Sequence, residues 1–230
     1  MAKRTELAPI ASGGKVRPLA VRERTGDVVL HRLRRLIVTL ELEPGATVTE
    51  TYLSELLECS RTPVREALQR LAAEQLVEIA PRRVIRIAEM NVSDLPMLME
   101  AMERAVSSTA SLAASRVTNR QLDELTRILT EAESADSSKD FVTVLELDFR
   151  FHNAMTEATG NRYLVSAFAP IHRLATRFGY AAFSRAETAR ISLEEHREIV
   201  EALAARKPDV VETLAVAHVI AARDRIQAEL

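Results

Sequence analysis

Three histidines and one aspartate in the second half of the chain share an unusual setting. Asp148 and His152 are four residues apart on a segment whose apolar members Phe141, Leu145 and Met155 repeat with helical spacing, so both fall on the apolar face. His196 sits in the same way among Leu193, Val200 and Leu203, and His218 among Val211, Leu214, Ala215 and Ala222. Burying imidazoles and a carboxylate on such faces demands compensation. Singly, each histidine reads as a hydrogen-bonded core residue. Together, three of the five histidines on the inward faces of three helices, with a carboxylate one turn from one of them, read as a His3Asp set that a helical bundle can bring to one point. Such donors suit one borderline divalent ion per chain, Zn²⁺ or Ni²⁺ first and Co²⁺ next. The same donors could activate water in a hydrolase or lyase. No general base or nucleophile accompanies them, so the expectation is a binding protein and not an enzyme.

A second constellation lies in the first half. Arg61, Thr62, Arg65 and Gln69 follow one another on one polar face at the start of a helical segment, and Arg82, Arg83 and Arg86 surround a break between two β-type runs. Singly, these are solvated arginines. Jointly, they match what a major-groove reader requires, since an arginine can bridge guanine O6 and N7 and the N–H groups opening a helix can meet a phosphate.

The elements that must position these groups are legible in outline. Residues 1–20, with Pro9, Gly13, Gly14 and Pro18 among scattered Lys and Arg, read as a flexible basic arm. A first helix starts at Asp27 on Val28, Val29, Leu33, Leu36, Ile37 and Leu40, and Pro44-Gly45 stops it. Thr49 caps a short second helix with Leu53, Leu56 and Leu57, and a three-residue turn leads into a third from about Arg61 to Glu74. Leu76–Ile79 and Val84–Ile87 then read as a β-hairpin around Pro81-Arg82-Arg83, a wing. From Asn91 onward the pattern is about six amphipathic helices, with Ser93, Asn119 and Ser192 as N-caps and Gly160, Gly179 and Pro208 as breaks. The expected fold is mainly α: a winged helix-turn-helix over residues 21–90 and an antiparallel all-α bundle over 91–230.

Composition agrees with two ordinary folded domains. Apolar residues make up 47% and charged residues 28%, and aromatics only 4% with no Trp, which favours helix over sheet. The net charge of -2 conceals an asymmetry: residues 1–90 hold 15 basic and 12 acidic side chains, residues 91–230 hold 16 and 21. The basic part is the candidate for a polyanion. No apolar run approaches the roughly 20 residues that span a bilayer, and the lone Cys59 cannot form an internal disulfide, so a cytoplasmic protein without a membrane partner is expected. Cys59 reads as a small packed residue, the Met97, Met99 and Met102 group as helix packing, and His31 as exposed. His172, with Arg173 and Arg177, reads either as cavity-facing or as part of an exposed basic face.

The run Pro44-Gly45, Leu53 to Leu57, Ser60-Arg61-Thr62-Pro63-Val64-Arg65-Glu66-Ala67-Leu68, Leu71 and Leu76-Val77 resembles the signature of the GntR family of bacterial regulators. The resemblance implies a homodimer bound to double-stranded operator DNA at a short inverted repeat, with Arg61, Thr62 and Arg65 at bases and phosphates. Further on, Asp148 to His152, Gly160-Asn161, Glu195-His196 with Ile199, and Ala217-His218 resemble the FCD ligand-binding domain of the FadR-type branch. That likeness implies a metal held by Asp148, His152, His196 and His218, and a small carboxylate effector at its open positions with Arg104 and Asn161 assisting. The expected function is a repressor whose operator affinity the effector controls; a regulator that senses the metal alone is the alternative. Departures from the family pattern are Gln75 and Val84 where glycines are usual, Thr51 in place of an arginine, and Ser107-Ser108 in place of Leu-Glu. Valine resists positive φ, so a rebuilt wing tip is expected.

Overall fold

The computed structural model describes residues 26–80, 84–135, 141–182 and 186–229. The basic arm and the wing-tip residues Arg82 and Arg83 lie outside them. The chain divides into two compact units that part between Glu89 and Met90.

In the first unit α1 (Gly26–Val38) buries Val29, Leu30, Leu33, Leu36 and Ile37 on one stripe. Gly45, at φ 76, takes the left-handed turn that follows Pro44. Thr49 caps α2 (Glu50–Leu56), its side chain accepting from the Tyr52 amide at 3.1 Å. α3 (Arg61–Ala73) follows the short turn and buries Val64, Ala67, Leu68 and Leu71. Gln75 adopts φ 58, so the left-handed turn expected of glycine is made here by glutamine. β2 (Val77–Ala80) and β3 (Val84–Ile87) pair antiparallel with Val77 opposite Ile87. The valine substitution costs no strain, because Val84 lies in β3 opposite Ala80 and is absent from the positive-φ residues. A third strand, β1 (Thr47–Val48), pairs with β3 on its other side, giving the order β1-β3-β2. Two residues are too few to leave a period-2 pattern, which hides β1 from the sequence.

The second unit is helical. A 3-10 turn (Val92–Asp94) leads into α4 (Leu95–Arg116), followed by α5 (Asn119–Ser134), α6 (Phe141–Glu157), α7 (Arg162–Ala182), α8 (Ala186–Ala204) and α9 (Pro208–Glu229). α4 packs along α9, α6 lies against α5 and α7, and α8 lies against α5 and α9. α5 is capped by Thr118, one residue before the expected Asn119, in a box with Gln121. Ser93 falls in the 3-10 turn and Ser192 inside α8, so neither caps a helix. Gly160, at φ 65, closes α6, and Pro208 opens α9. Gly179 does not break its helix. It lies buried within α7, where packing offsets its poor intrinsic propensity. No helix among the described residues is long and apolar enough to cross a membrane.

Candidate nucleic-acid interface and metal centre

α3 turns two chemically distinct faces outward and inward. Arg61, Thr62, Arg65 and Gln69 are exposed, while Val64, Ala67, Leu68 and Leu71 fill the core behind them. The N-cap Ser60 makes no side-chain hydrogen bond to the opening turn. Arg65 has a partner that its sequence position did not suggest: Nε donates to Glu50 Oε1 at 3.0 Å and Nη2 to Oε2 at 2.7 Å. This planar fork holds the guanidinium at the surface, with the side chain 48% exposed. The hydrogen bond and charge of Glu50 raise the arginine pKa further, so it stays cationic. Arg86 projects from β3, half exposed, 3.7 Å from Glu89.

In the helical unit α6, α8 and α9 converge. His196 Nε2 on α8 lies 3.1 Å from His152 Nε2 on α6 and 3.1 Å from His218 Nε2 on α9. All three imidazoles are buried. Asp148, one turn before His152, points Oδ1 toward this group, at 3.7 Å from His196 Nε2 and 3.9 Å from His152 Nε2. Phe151 backs the cluster, its ring stacked on His196 with centroids 4.2 Å apart. The structure therefore brings Asp148, His152, His196 and His218 together.

The donors fit a cation on a simple count. A nitrogen carries at most one hydrogen, yet His196 Nε2 faces two other imidazole nitrogens at contact distance, and one hydrogen cannot serve both. Nitrogens about 2.1 Å from a common ion stand roughly 3.0–3.4 Å apart, which is the observed spacing. Electrostatics agree. Burial, then the neighbouring imidazoles, holds His152 and His196 well below the ordinary histidine value, so both present lone pairs. Burial also raises Asp148 to about 6, against the lowering influence of His218 and Arg225.

Two residues that sequence reasoning did not assign complete the surroundings. His218 Nδ1 donates to Glu195 Oε2 at 2.6 Å, and Glu195 also accepts from Arg225 Nη1 and Nη2 at 2.8 and 2.9 Å. Burial works against this carboxylate, but hydrogen bonds from His218 and Arg225 and their charges outweigh it and bring Glu195 to about 2. Carboxylate support of this kind fixes an imidazole's tautomer and orientation. Glu195 directly precedes His196 but serves His218, a pairing visible only once α8 and α9 are packed.

A cavity of about 110 Å³ lies over the cluster, lined by Asp148, the three histidines, His172, Thr176, Ser192, Arg225 and an apolar wall that includes Met99, Met102, Leu129 and Leu147. Arg104 is exposed on α4 and does not line it. Asn161 is likewise elsewhere: Oδ1 accepts from the Tyr163 and Leu164 amides at the start of α7. The structure thus does not bring these two expected effector contacts to the cavity, and the arginine among its described lining residues is Arg225.

Comparison with known proteins adds the context. The FCD domain family matches residues 94–221, and the family described as bacterial regulatory proteins, gntR family, matches residues 25–87. The chain is 31% identical over 189 residues to the HTH-type transcriptional repressor RspR of Escherichia coli (strain K12), covering 81% of this chain and 82% of that one. It is 30% identical over 188 residues to the Nta operon transcriptional regulator of Aminobacter aminovorans, covering 80% and 86%. The solved structure of E. coli McbR/YncC has the same fold, with a TM-score of 0.75 over 88% of this chain and 97% of that one at 21% identity.

Proposed function

The chain belongs to the GntR family of bacterial transcriptional regulators and carries an FCD domain, and from this premise we propose that it is a repressor whose operator affinity answers to a small carboxylate bound beside a divalent ion. His152, His196, His218 and Asp148 hold the ion, Zn²⁺ or Ni²⁺ by donor type. The observation that carries this reading is the 3.1 Å approach of His196 Nε2 to two other imidazole nitrogens inside a buried cavity. Bound there, the ion supplies open coordination positions to a carboxylate.

The chain's own residues do the rest. Glu195 orients His218, and Arg225 neutralises Glu195. Arg225 also lines the cavity, which places a cation within reach of an organic acid, while Met99, Met102 and Leu147 offer it an apolar wall. At about 110 Å³ the cavity has room for several waters or one small acid. On the DNA side, Arg61, Thr62, Arg65 and Gln69 read the major groove, and Arg82 and Arg83 lie along the backbone or minor groove. Residues 21–90 form the reader and residues 91–230 the sensor and homodimer contact. Occupying the cavity shifts the bundle and alters the spacing of two α3 helices across the dimer, to the extent that the acid binds one state better than the other.

The test is operator binding titrated first with Zn²⁺ or Ni²⁺ at fixed carboxylate, then with carboxylate at fixed ion. The proposal expects both to change affinity. A response to the ion alone favours a metal-sensing regulator, and indifference to both removes the sensor.

A further inference from the structure

His172 is a buried imidazole to which the four-residue ligand set gives no task. It projects from α7 with its side chain 12% exposed, and its Nδ1 is buried with no hydrogen-bond partner among the described residues. Its Nε2 lies 4.0 Å from Asp148 Oδ2. The Asp148 carboxylate therefore faces two ways, Oδ1 toward His152 and His196 and Oδ2 toward His172. His172 groups with Asp148 and His152, while His196 and His218 group with each other and with His152. Its nitrogen thus lies beside the carboxylate and His152 and outside the group of three imidazoles.

His152 has a matching orphan, since its Nδ1 is also buried without a partner. The His152 and His172 rings are 4.4 Å apart, and with Asn153 and Thr156 both line a second void of about 10 Å³. That volume holds about one water. Buried polar atoms without partners call for an explanation, and the polarities of these fit one chain of hydrogen bonds. For His152 to aim a lone pair at the other imidazoles from Nε2, its hydrogen must sit on Nδ1. For His172 to donate from Nε2 to a carboxylate oxygen, its Nδ1 must carry the lone pair. A water between the two accepts from the first and donates to the second.

We propose that His172 is a positioning residue for Asp148: its Nε2–H engages Oδ2, and its Nδ1 is tied through one buried water to the Nδ1–H of His152, so that Asp148 offers only Oδ1 to the ion. Held to one oxygen, Asp148 leaves the neighbouring coordination position to a carboxylate from outside. This rests on the ion site proposed above.

The experiment compares the full chain with its His172→Leu and His172→Gln variants. Zn²⁺ affinity is read by competition with a chromophoric chelator, and coordination by the visible absorption bands of bound Co²⁺. Leucine removes both nitrogens, whereas glutamine keeps an N–H donor of similar reach. Expected are a loss of about 10–100-fold in Zn²⁺ affinity with altered Co²⁺ bands for His172→Leu, and near-native bands with most of the affinity for His172→Gln. Native affinity and bands in His172→Leu overturn the inference. So does an equal loss in both variants, because the loss then follows packing and not the donor. If melting of the ion-free protein shows that His172→Leu fails to fold, His172→Phe, which keeps a ring, takes its place with the same expectations. A parent chain that takes up neither Zn²⁺ nor Co²⁺ overturns the ion site itself; a parent that binds while the variants match it overturns only the role of His172.

Discussion

The arginines of α3 and the histidines of the helical bundle stand in opposite surroundings. Arg61, Arg65 and Gln69 face solvent, where a charge is satisfied whether or not DNA arrives. His152, His196 and His218 are buried, where unsatisfied nitrogens are costly and their convergence needs a cause. An exposed polar site therefore draws its functional meaning from spacing and kinship, whereas a buried one carries part of the argument in its own energetics. The two sites also differ in how they are held. Arg65 is steadied at the surface by a fork to Glu50, while buried His218 is held by a carboxylate that Arg225 supports in turn.

That contrast can be broken at several strengths. The largest effect is expected from His196→Ala, which removes the nitrogen shared by both close pairs. Zn²⁺ affinity in a chelator competition should fall by more than about 100-fold, beyond what loss of a supporting residue costs. Glu195→Gln should follow at about 10–100-fold, because His218 keeps its place but loses its carboxylate. Neither change should alter the salt dependence of operator binding. Arg61→Ala and Arg65→Ala should do the reverse, leaving Zn²⁺ uptake intact. Where the lost contact is to phosphate, the slope of log K against log salt should fall by about one.

A subtler prediction separates the units by pH. In the unfolded chain the histidines regain their ordinary value of 6.5, while burial holds His172 near 3 and His152 and His196 well below normal in the fold. Below pH 6.5 the unfolded chain thus binds more protons, and the stability present above that pH is lost as acid is added. Asp148 acts with the opposite sign: raised from 3.8 to about 6, it holds in the fold a proton that the unfolded chain has shed, so acidification across that interval favours the fold. Three imidazoles outweigh one carboxyl. Glu195, brought to about 2 from 4.5, supports the fold above pH 4.5, and its contribution is nearly constant between pH 5 and 7. Ion-free protein taken from pH 7 to 5 should lose amide protection in α6, α7 and α8 by hydrogen exchange while α1 and α3 keep theirs. Equal losses in both units would remove the buried imidazoles as the cause.

Much of the architecture was legible because burial imprints a period. The stripes on α1, α6, α8 and α9 announced those helices, and Thr49 announced the start of α2. What escaped was set by neighbours distant in sequence. β1 exists because β3 offers it an edge, and Gly179 stays helical because α7 is packed around it. The convergence of His152, His196 and His218 was readable since each histidine interrupts an apolar stripe. Glu195 was not readable as a support for His218, since nothing local links residue 195 to residue 218. Arg104 and Asn161 were proposed by kinship, but the cavity is lined by Arg225, which lies two turns beyond His218 on α9.

The most direct test of the ion site is anomalous diffraction at the metal edge from crystals of the Zn²⁺-loaded protein. One peak per chain is expected, about 2.0–2.2 Å from Nε2 of His152, His196 and His218 and from one oxygen of Asp148. No peak, or a peak away from these four side chains, would contradict it.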